Sequence, residues 1–478
     1  QALSIFHSRY GNKVAVFHSG LSLGERNDEY KRADRGEAKI VIGTRSAVFA
    51  PLHNIGLIIM DEEQENTYKS ERTPKYNAKD VAAFRCKYNK ALFLMTSATP
   101  SIESFSNALK GKYTLCSLTQ RYGDAKLPQV ITVDMKQEMK NGNKSPISTI
   151  LKEQIAETLD ENKQVILLIN RRGYNTFIAC NDCGHVITCP NCSISLTYHS
   201  TNNRLTCHYC GYTKKLDNVC PECGGDNIRY SGYGTQRIED ELTFLFPNAK
   251  ILRMDADTTS TKFSHEKMFN AFANHEYNIM IGTQMVAKGL DFDDVTLVGV
   301  VNADNSLYDE SYNSAERTFD LITQVVGRSG RRDNSGKAII QTINPYNQTL
   351  ECAAQQDYET FYDNEIELRR LLIYPPYCDI ISASFVSVNE NKTEKKKKKF
   401  FEILVDMNEE YKQKIIILGP NASKIAKLNN NFRYSLFVKC KNSKIIRTLF
   451  SETLKKLSKI REYKDVSVSL DLNPYDLN

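Results

Sequence analysis

Tryptophan is absent from this 478-residue chain, so any flat stacking surface must come from tyrosine or phenylalanine. Also lacking is an apolar run longer than a strand. The longest, such as Val165-Ile-Leu-Leu-Ile169, falls far short of the roughly 20 residues a bilayer-spanning helix needs and does not look like a secretory leader. The expectation is a cytoplasmic protein. A strong excess of one charge is missing too: 63 Lys and Arg against 57 Asp and Glu leave +6, compatible with a nucleic-acid partner without requiring one. The 41% apolar fraction is ordinary for a globular protein, and the length leaves room for about three domains. The opening ten residues read as an apolar-periodic helix entered at its middle, with no initiator Met and no capping residue ahead, so the chain is expected to be truncated at that end.

What the chain does have is cysteine, 13 in all, with eight of them between residues 180 and 223. In a cytosolic chain such clustering points to metal and not to disulfides. The eight form four CxxC knuckles: Cys180/Cys183, Cys189/Cys192, Cys207/Cys210 and Cys220/Cys223. One knuckle places two thiolates for one tetrahedral ion, so four knuckles make two closed four-thiolate sites, with zinc as the default and iron–sulfur as the alternative. Spacing leaves the pairing of knuckles open. Gly184, Gly211 and Gly224 each follow the second cysteine of a knuckle and suit the turn that aims amides at sulfur. His185, His199 and His208 read as bystanders, because four sulfurs satisfy each ion. The ions either hold a small ribbon together or support a contact with nucleic acid or a partner. Cys86, Cys116, Cys352, Cys378 and Cys440 are scattered.

Around this window, short β-branched runs alternate with helical patterns. Residues 14–17, 40–42, 57–60 and 92–95 read as buried parallel strands of a doubly wound α/β lobe, and 165–169, 251–254, 279–281, 295–301 and 338–342 as those of a second. The segment Lys39-Ile-Val-Ile-Gly-Thr-Arg45 followed by Ile55-Gly-Leu-Ile-Ile-Met60 is echoed by Asn278-Ile-Met-Ile-Gly-Thr-Gln284 followed by Val295-Thr-Leu-Val-Gly-Val300, so the lobes look like duplicated units. The expected division is 1–120 for the first lobe, 121–178 for the start of the second, 179–230 for the cysteine-rich insert, 231–348 for the rest of the second lobe and 349–478 for a C-terminal α+β domain. The lysine run at 395–399 reads as a solvated helix face or loop.

Chemistry is expected on the first lobe. There an apolar strand ends in Asp61-Glu62-Glu63-Gln64, whereas the second copy presents Val301-Asn302. A phosphate-hydrolysing motor needs one carboxylate at a strand end to hold hydrated Mg2+ and a neighbour to orient the attacking water. Asp61 and Glu62 fit those roles. Ser97 and Thr99 offer hydroxyls after the next strand. In Gln324-Val-Val-Gly327-Arg328-Ser-Gly330-Arg331, two arginines three apart would share a helical face, as charge stabilisation of a transferring phosphate requires.

Taken in order, Gly43-Thr-Arg-Ser46, Asp61-Glu-Glu-Gln64, Ser97-Ala-Thr99, Asn170-Arg-Arg-Gly173, Gly282-Thr-Gln-Met-Val-Ala-Lys-Gly289 and Gln324 to Arg331 resemble the motif series of superfamily 2 helicases. With the eight-cysteine insert in the second lobe, the whole chain is similar to the PriA family of primosomal replication-restart helicases. The resemblance implies two RecA-like lobes of P-loop NTPase type, ATP with Mg2+, 3′ to 5′ movement on single-stranded DNA, and restart of stalled or collapsed forks through other primosome proteins and single-strand binding protein. It implies catalytic Asp61, Glu62, Arg328 and Arg331, nucleotide contacts by Asp61, Gln324 and Gly289, and coupling to DNA through Gln64, Tyr68 and Tyr76. It also implies two nested zinc sites, Cys180/Cys183/Cys220/Cys223 and Cys189/Cys192/Cys207/Cys210.

Three departures from the family stand out. Gln64 replaces the usual His, Pro74 occupies a place where a large aromatic is common, and no GxxxxGK[ST] occurs, nor do the expected preceding DNA-binding domains. Without that loop the polypeptide as given is expected to bind ATP poorly. The alternatives are a non-catalytic zinc-ribbon scaffold that binds DNA, and another superfamily 2 translocase, which the cysteine insert disfavours.

Overall fold

The computed structural model describes residues 2–475 apart from 19, 121–126, 170–177, 181, 200–203, 218, 227, 231–234, 255–263, 284, 285, 287–291 and 329–335. The chain forms two compact units, one of residues 1–108 with 471–475, the other of 109–470 with 476–478.

In the first unit, Val14–Phe17 pairs in parallel with Ile40–Gly43, and Leu57–Met60 with Leu92–Met95. The helix Leu23–Asp34 starts at a capping box in which Ser22 and Glu25 satisfy each other's amides. The helix Ala78–Asn89 starts on the Asn77 side chain and buries Ala78, Ala82 and Cys86. Small residues at that four-residue spacing let it lie close to Met60, Ile58, Phe93 and Met95. One expectation fails here. Leu57 is 50% exposed, Ile59 57%, Leu92 64% and Leu94 42%, so these two strands are not buried throughout. The helix covers only the face carrying Met60, and a period of two sends the alternate side chains to the other face.

The second unit holds a six-stranded parallel sheet in the order Ile251–Met254, Ile279–Gly282, Gln164–Leu168, Val295–Val300, Lys337–Thr342, Gln129–Asp134. Its inner strands are mostly apolar because both faces are covered. One face packs against Leu151 and Ile155 of the helix Thr149–Asp160 and against Ile238 and Leu242 of the helix Thr235–Leu245. The edge strand Gln129–Asp134 was not anticipated. Among its residues only Val133 is fully buried, so its apolar signal is weak.

The echo between the lobes has a steric basis. A Cβ on Gly43 would run into the Phe17 carbonyl oxygen, and one on Gly282 would meet the Val286 side chain first, with the Met254 carbonyl oxygen at 3.0 Å. Both glycines sit at the same register position, opposite the last residue of the neighbouring parallel strand. At Gly43 the neighbouring backbone leaves no room for a side chain, whereas at Gly282 the Val286 side chain fills the place a Cβ would take.

After the helices Gln348–Gln355 and Tyr358–Leu372, a four-stranded sheet follows in the order Ile416–Leu428, Asn431–Cys440, Asp379–Ser387, Ser467–Leu472, with the helices Glu390–Tyr411 and Lys444–Ser458. The lysine run is only partly a solvated face. Lys396 and Lys397 are buried at 8% and 7% exposure, because they share the inward stripe of their helix with Phe400 and Leu404. Their ammonium groups find acceptors within the fold: Lys396 donates to the Tyr463 and Val466 carbonyls, and Lys397 sits 3.7 Å above the Tyr434 ring. No helix among the described residues is long and apolar enough to cross a membrane.

Candidate functional site

The strand Leu57–Met60 delivers Asp61 at its carboxyl end. Because Met60 pairs with Met95, Thr96 stands opposite Asp61, and its hydroxyl donates to Asp61 Oδ1 at 2.7 Å. Glu62 adopts φ 48°, a left-handed backbone that costs a non-glycine residue energy and recurs at functional sites. Gln64 Nε2 donates to Glu62 Oε2 at 2.8 Å, while Ser97 Oγ donates to Gln64 Oε1 at 2.6 Å. The carboxylate can only accept, which orients the amide, so Gln64 bridges Glu62 to the hydroxyl after the next strand. The third acid has a different task. Glu63 is 3% exposed, accepts from the Ser101 amide at 2.7 Å and from the Ser101 and Ser104 hydroxyls, and pairs with Lys79. Glu63 is thus taken up in packing, whereas Asp61 and Glu62 stay at the strand end, where they accept from the Thr96 hydroxyl and the Gln64 amide.

The 68–76 loop is fastened to this site. Tyr68 donates its hydroxyl to the Asp61 carbonyl at 2.8 Å, and burial, with Asp61 beside it, raises its pKa. The Arg45 guanidinium donates to the Thr67 and Lys69 carbonyls at 2.9 and 2.6 Å and lies 5.9 Å from the centre of the Tyr76 ring, which meets Phe49 edge-on at 4.8 Å. Both tyrosines pack half-buried against the cluster around Met60. Arg45 and Thr96 were given no role from sequence. Only strand register and a folded-back loop reveal them.

In the second unit Gln324 lies on the helix Ser314–Val326, which Gly327 terminates, so Arg328 stands in the turn beyond and not on a helical face. Gly289, Arg331 and the Asn170-Arg-Arg-Gly173 motif lie outside the described residues. The carboxylate beyond Val301-Asn302 is Asp304, 2% exposed, which accepts from the Thr342 hydroxyl and the Ile343 amide at 2.8 and 2.9 Å. Burial pushes its carboxyl up to about 6, against the pull of those two donors. An acid raised in the folded state adds stability at low pH and loses it as the pH rises through the folded value. Relative to Asp304→Asn, the parent is expected to lose about 2 kcal/mol of unfolding free energy between about pH 4.5 and 7.5. Paired urea titrations at the two pH values check this.

The eight clustered cysteines fold into four like turns. The amide of Cys180, Cys189, Cys207 and Cys220 each donates to the carbonyl five residues on, at His185, Ile194, Tyr212 and Gly225. Gly184, Gly211 and Gly224 take positive φ, and Ser193 takes the same backbone, φ 55°, in the knuckle that has no glycine. The His185 and Gly225 amides point at Cys183 and Cys223 Sγ, both at 3.5 Å. The sulfurs gather into two sets, Cys180/Cys183/Cys220/Cys223 and Cys189/Cys192/Cys207/Cys210, each with all four atoms within 4.8 Å of one another. Thiols this close cannot ionise together. Hydrogen bonds from Cys192 and Cys207 hold Cys189 well below the ordinary thiol range, and the same contacts push Cys192 and Cys207 up. A cation at the centre removes that conflict, and soft sulfur donors with tetrahedral spacing suit zinc. His185 faces Glu222 and His208 the Ala422 carbonyl, while the His199 side chain is outside the described residues.

Family models match the same regions: a PriA DNA helicase Cys-rich region domain over 189–215, a helicase conserved C-terminal domain over 214–333 and a primosomal protein N C-terminal domain over 370–475. The replication restart protein PriA of Borreliella burgdorferi is 35% identical over the full chain, which covers 69% of it. This chain belongs to the PriA family. The family's proteins from Bacillus subtilis and Synechocystis are 44% and 38% identical over 99% and 98% of the chain, which spans 59% and 56% of their length. A structure of RecG bound to a three-way DNA junction overlaps 78% of this chain and 37% of its own, at TM-score 0.38 and 13% identity, too slight a likeness to add to the assignment.

Proposed function

We propose that this chain is the motor part of an ATP-dependent DNA helicase that moves 3′ to 5′, recognises stalled or collapsed forks and restarts replication through primosome assembly in the cytoplasm. The Glu62–Gln64–Ser97 bridge carries the reading, since together with the Thr96 hydroxyl on Asp61 it joins the two carboxylates to the end of the neighbouring strand as nucleotide sensing requires. Asp61 holds hydrated Mg2+ and Glu62 orients the attacking water. Gln324 and Gly289 contact the nucleotide, and Arg328 and Arg331 bring charge to the transferring phosphate. Gln64, Tyr68 and Tyr76 couple single-stranded or forked DNA to hydrolysis, rings being platforms on which bases stack. Two Zn2+ occupy the four-cysteine sets. Other primosome proteins and single-strand binding protein are the partners.

The polypeptide carries no GxxxxGK[ST], so by itself it hydrolyses ATP poorly. Fused behind a strand–loop–helix segment carrying that motif, it should show DNA-stimulated hydrolysis that Glu62→Gln lowers by roughly 100-fold or more. Metal analysis should find two zinc ions per chain, one for each cysteine set. Zinc and DNA binding without hydrolysis in the fusion would instead support a non-catalytic zinc-ribbon scaffold.

A further inference from the structure

The strand Ser467–Leu472 begins in the second unit, yet Asp471–Tyr475 belong to the first. There the Asp471 carboxylate, 11% exposed, meets Lys69 Nζ at 2.7 Å and Lys75 Nζ at 3.6 Å. Lys69 is itself 9% exposed, and its ammonium also donates to the Leu472 carbonyl at 2.8 Å and to that of Lys75 at 3.2 Å. These lysines flank the neck of the 68–76 loop, where the Ser70 amide donates to the Tyr76 carbonyl and Lys69 bridges Asn77. On one side of that neck is Tyr68, bonded to the Asp61 carbonyl. On the other is Tyr76, beside Arg45.

We propose that Asp471 is a positioning residue for the 68–76 loop: it pairs with Lys69 and Lys75 at the neck and so holds Tyr68 against Asp61. The physical basis is the cost of a buried ammonium without its counter-charge. Without Asp471, Lys69 must either stay buried beside the Lys75 charge or turn out to solvent, and turning out breaks its bonds to the Leu472 and Lys75 carbonyls and loosens the loop. The end of the C-terminal strand thereby sets the stiffness of the segment between DNA and the carboxylates. The pinning stands on geometry alone, while its consequence for DNA coupling rests on the helicase reading above.

Trypsin tests the pinning in the whole chain, without nucleotide or DNA. Cleavage after Lys69 and Lys75 requires the neck to open, and its rate follows the opening equilibrium. Asp471→Asn is expected to raise that rate on the order of tenfold, Asp471→Glu to stay near the parent, and metal content to stay unchanged in both. Equal rates in the parent and Asp471→Asn would overturn the proposal. Should Asp471→Asn not fold, Lys75→Gln, whose side chain is 23% exposed, reads the same contact through cleavage after Lys69, the site it leaves intact, and an unchanged rate at Lys69 overturns it equally. In the fusion that hydrolyses ATP, Asp471→Asn is expected to lower DNA stimulation several-fold, to leave the DNA-independent rate unchanged, and to be rescued by Asp471→Glu. Unaltered stimulation sinks the coupling role. A fusion that never hydrolyses ATP sinks the helicase reading, and the protease rates then decide the pinning on their own.

Discussion

A chelator added to the metal-loaded chain is expected to strip one cysteine set in a fast phase and to reach the other only as its surroundings unfold. The two sets differ in cover. In the first, Cys223 is exposed and Cys183 half-buried, whereas Cys189, Cys192 and Cys207 of the second are 1%, 4% and 0% exposed. The second set lies in one apolar cluster with Tyr374, Ile380 and Phe437, so an ion held there would sit inside the contact between the ribbon and the C-terminal sheet. That contact is also polar. Tyr374 donates its hydroxyl to the Cys192 carbonyl at 3.4 Å, and Asn421 Nδ2 donates to the Tyr209 carbonyl at 3.1 Å. A structural zinc ion contributes about 10–16 kcal/mol of folding free energy in small finger domains, as much as the whole net stability of an ordinary domain. Cys207→Ser should therefore abolish one ion and loosen the C-terminal sheet, while Cys223→Ser should weaken one ion and leave that sheet folded. Colorimetric metal release read beside near-ultraviolet circular dichroism separates the cases. Release of both ions at one rate, with no spectral change, would contradict this account.

The second large effect is expected at Arg369. Its side chain is 1% exposed, pairs with Glu316 at 2.7 Å and Glu365 at 2.8 Å, and lies 5.3 Å from the centre of the Tyr312 ring, which stacks on Tyr374 at 5.0 Å. Glu365 and Arg369 are one turn apart on the helix Tyr358–Leu372, and Glu316 comes from the helix Ser314–Val326 that carries Gln324. Arg369→Met leaves two buried carboxylates facing each other without a cation, a change that costs about 3–5 kcal/mol. The triple variant Arg369→Met, Glu316→Gln, Glu365→Gln should recover much of the loss, because neutral amides carry no such desolvation penalty. Urea unfolding of the parent, single and triple variants measures both steps. A triple variant no more stable than the single would mean that packing, and not charge, supplies Arg369's contribution.

Several of these features show how far the chain's order of residues reaches. Parallel strands were legible as β-branched runs, and the echo at Gly43 and Gly282 was legible because both places are too crowded for a Cβ, by backbone at Gly43 and by the Val286 side chain at Gly282. Glu63 looked like one more acid in a row. Its separation from Asp61 and Glu62 depends on Lys79, Ser101 and Ser104, whose proximity follows from helix and loop packing. The 395–399 lysines looked alike, yet the helical stripe turns two of them inward and leaves three outside.

The alternation of strands and helices, the four CxxC knuckles and the carboxylate pair at a strand end are readable along the chain, because each depends on neighbours a few residues apart. How the knuckles combine depends instead on long-range strand pairing in the folded chain. Pairing of Ile178–Cys180 with Ile228–Tyr230 closes the outer set, and the small sheet through Arg204–Thr206 closes the inner one. The tertiary structure alone also placed Thr96 on Asp61, Arg45 under the 68–76 loop and Asp471 at the loop's neck. Such contacts join residues far apart in the chain, and no local propensity or spacing encodes which distant segment a side chain will meet.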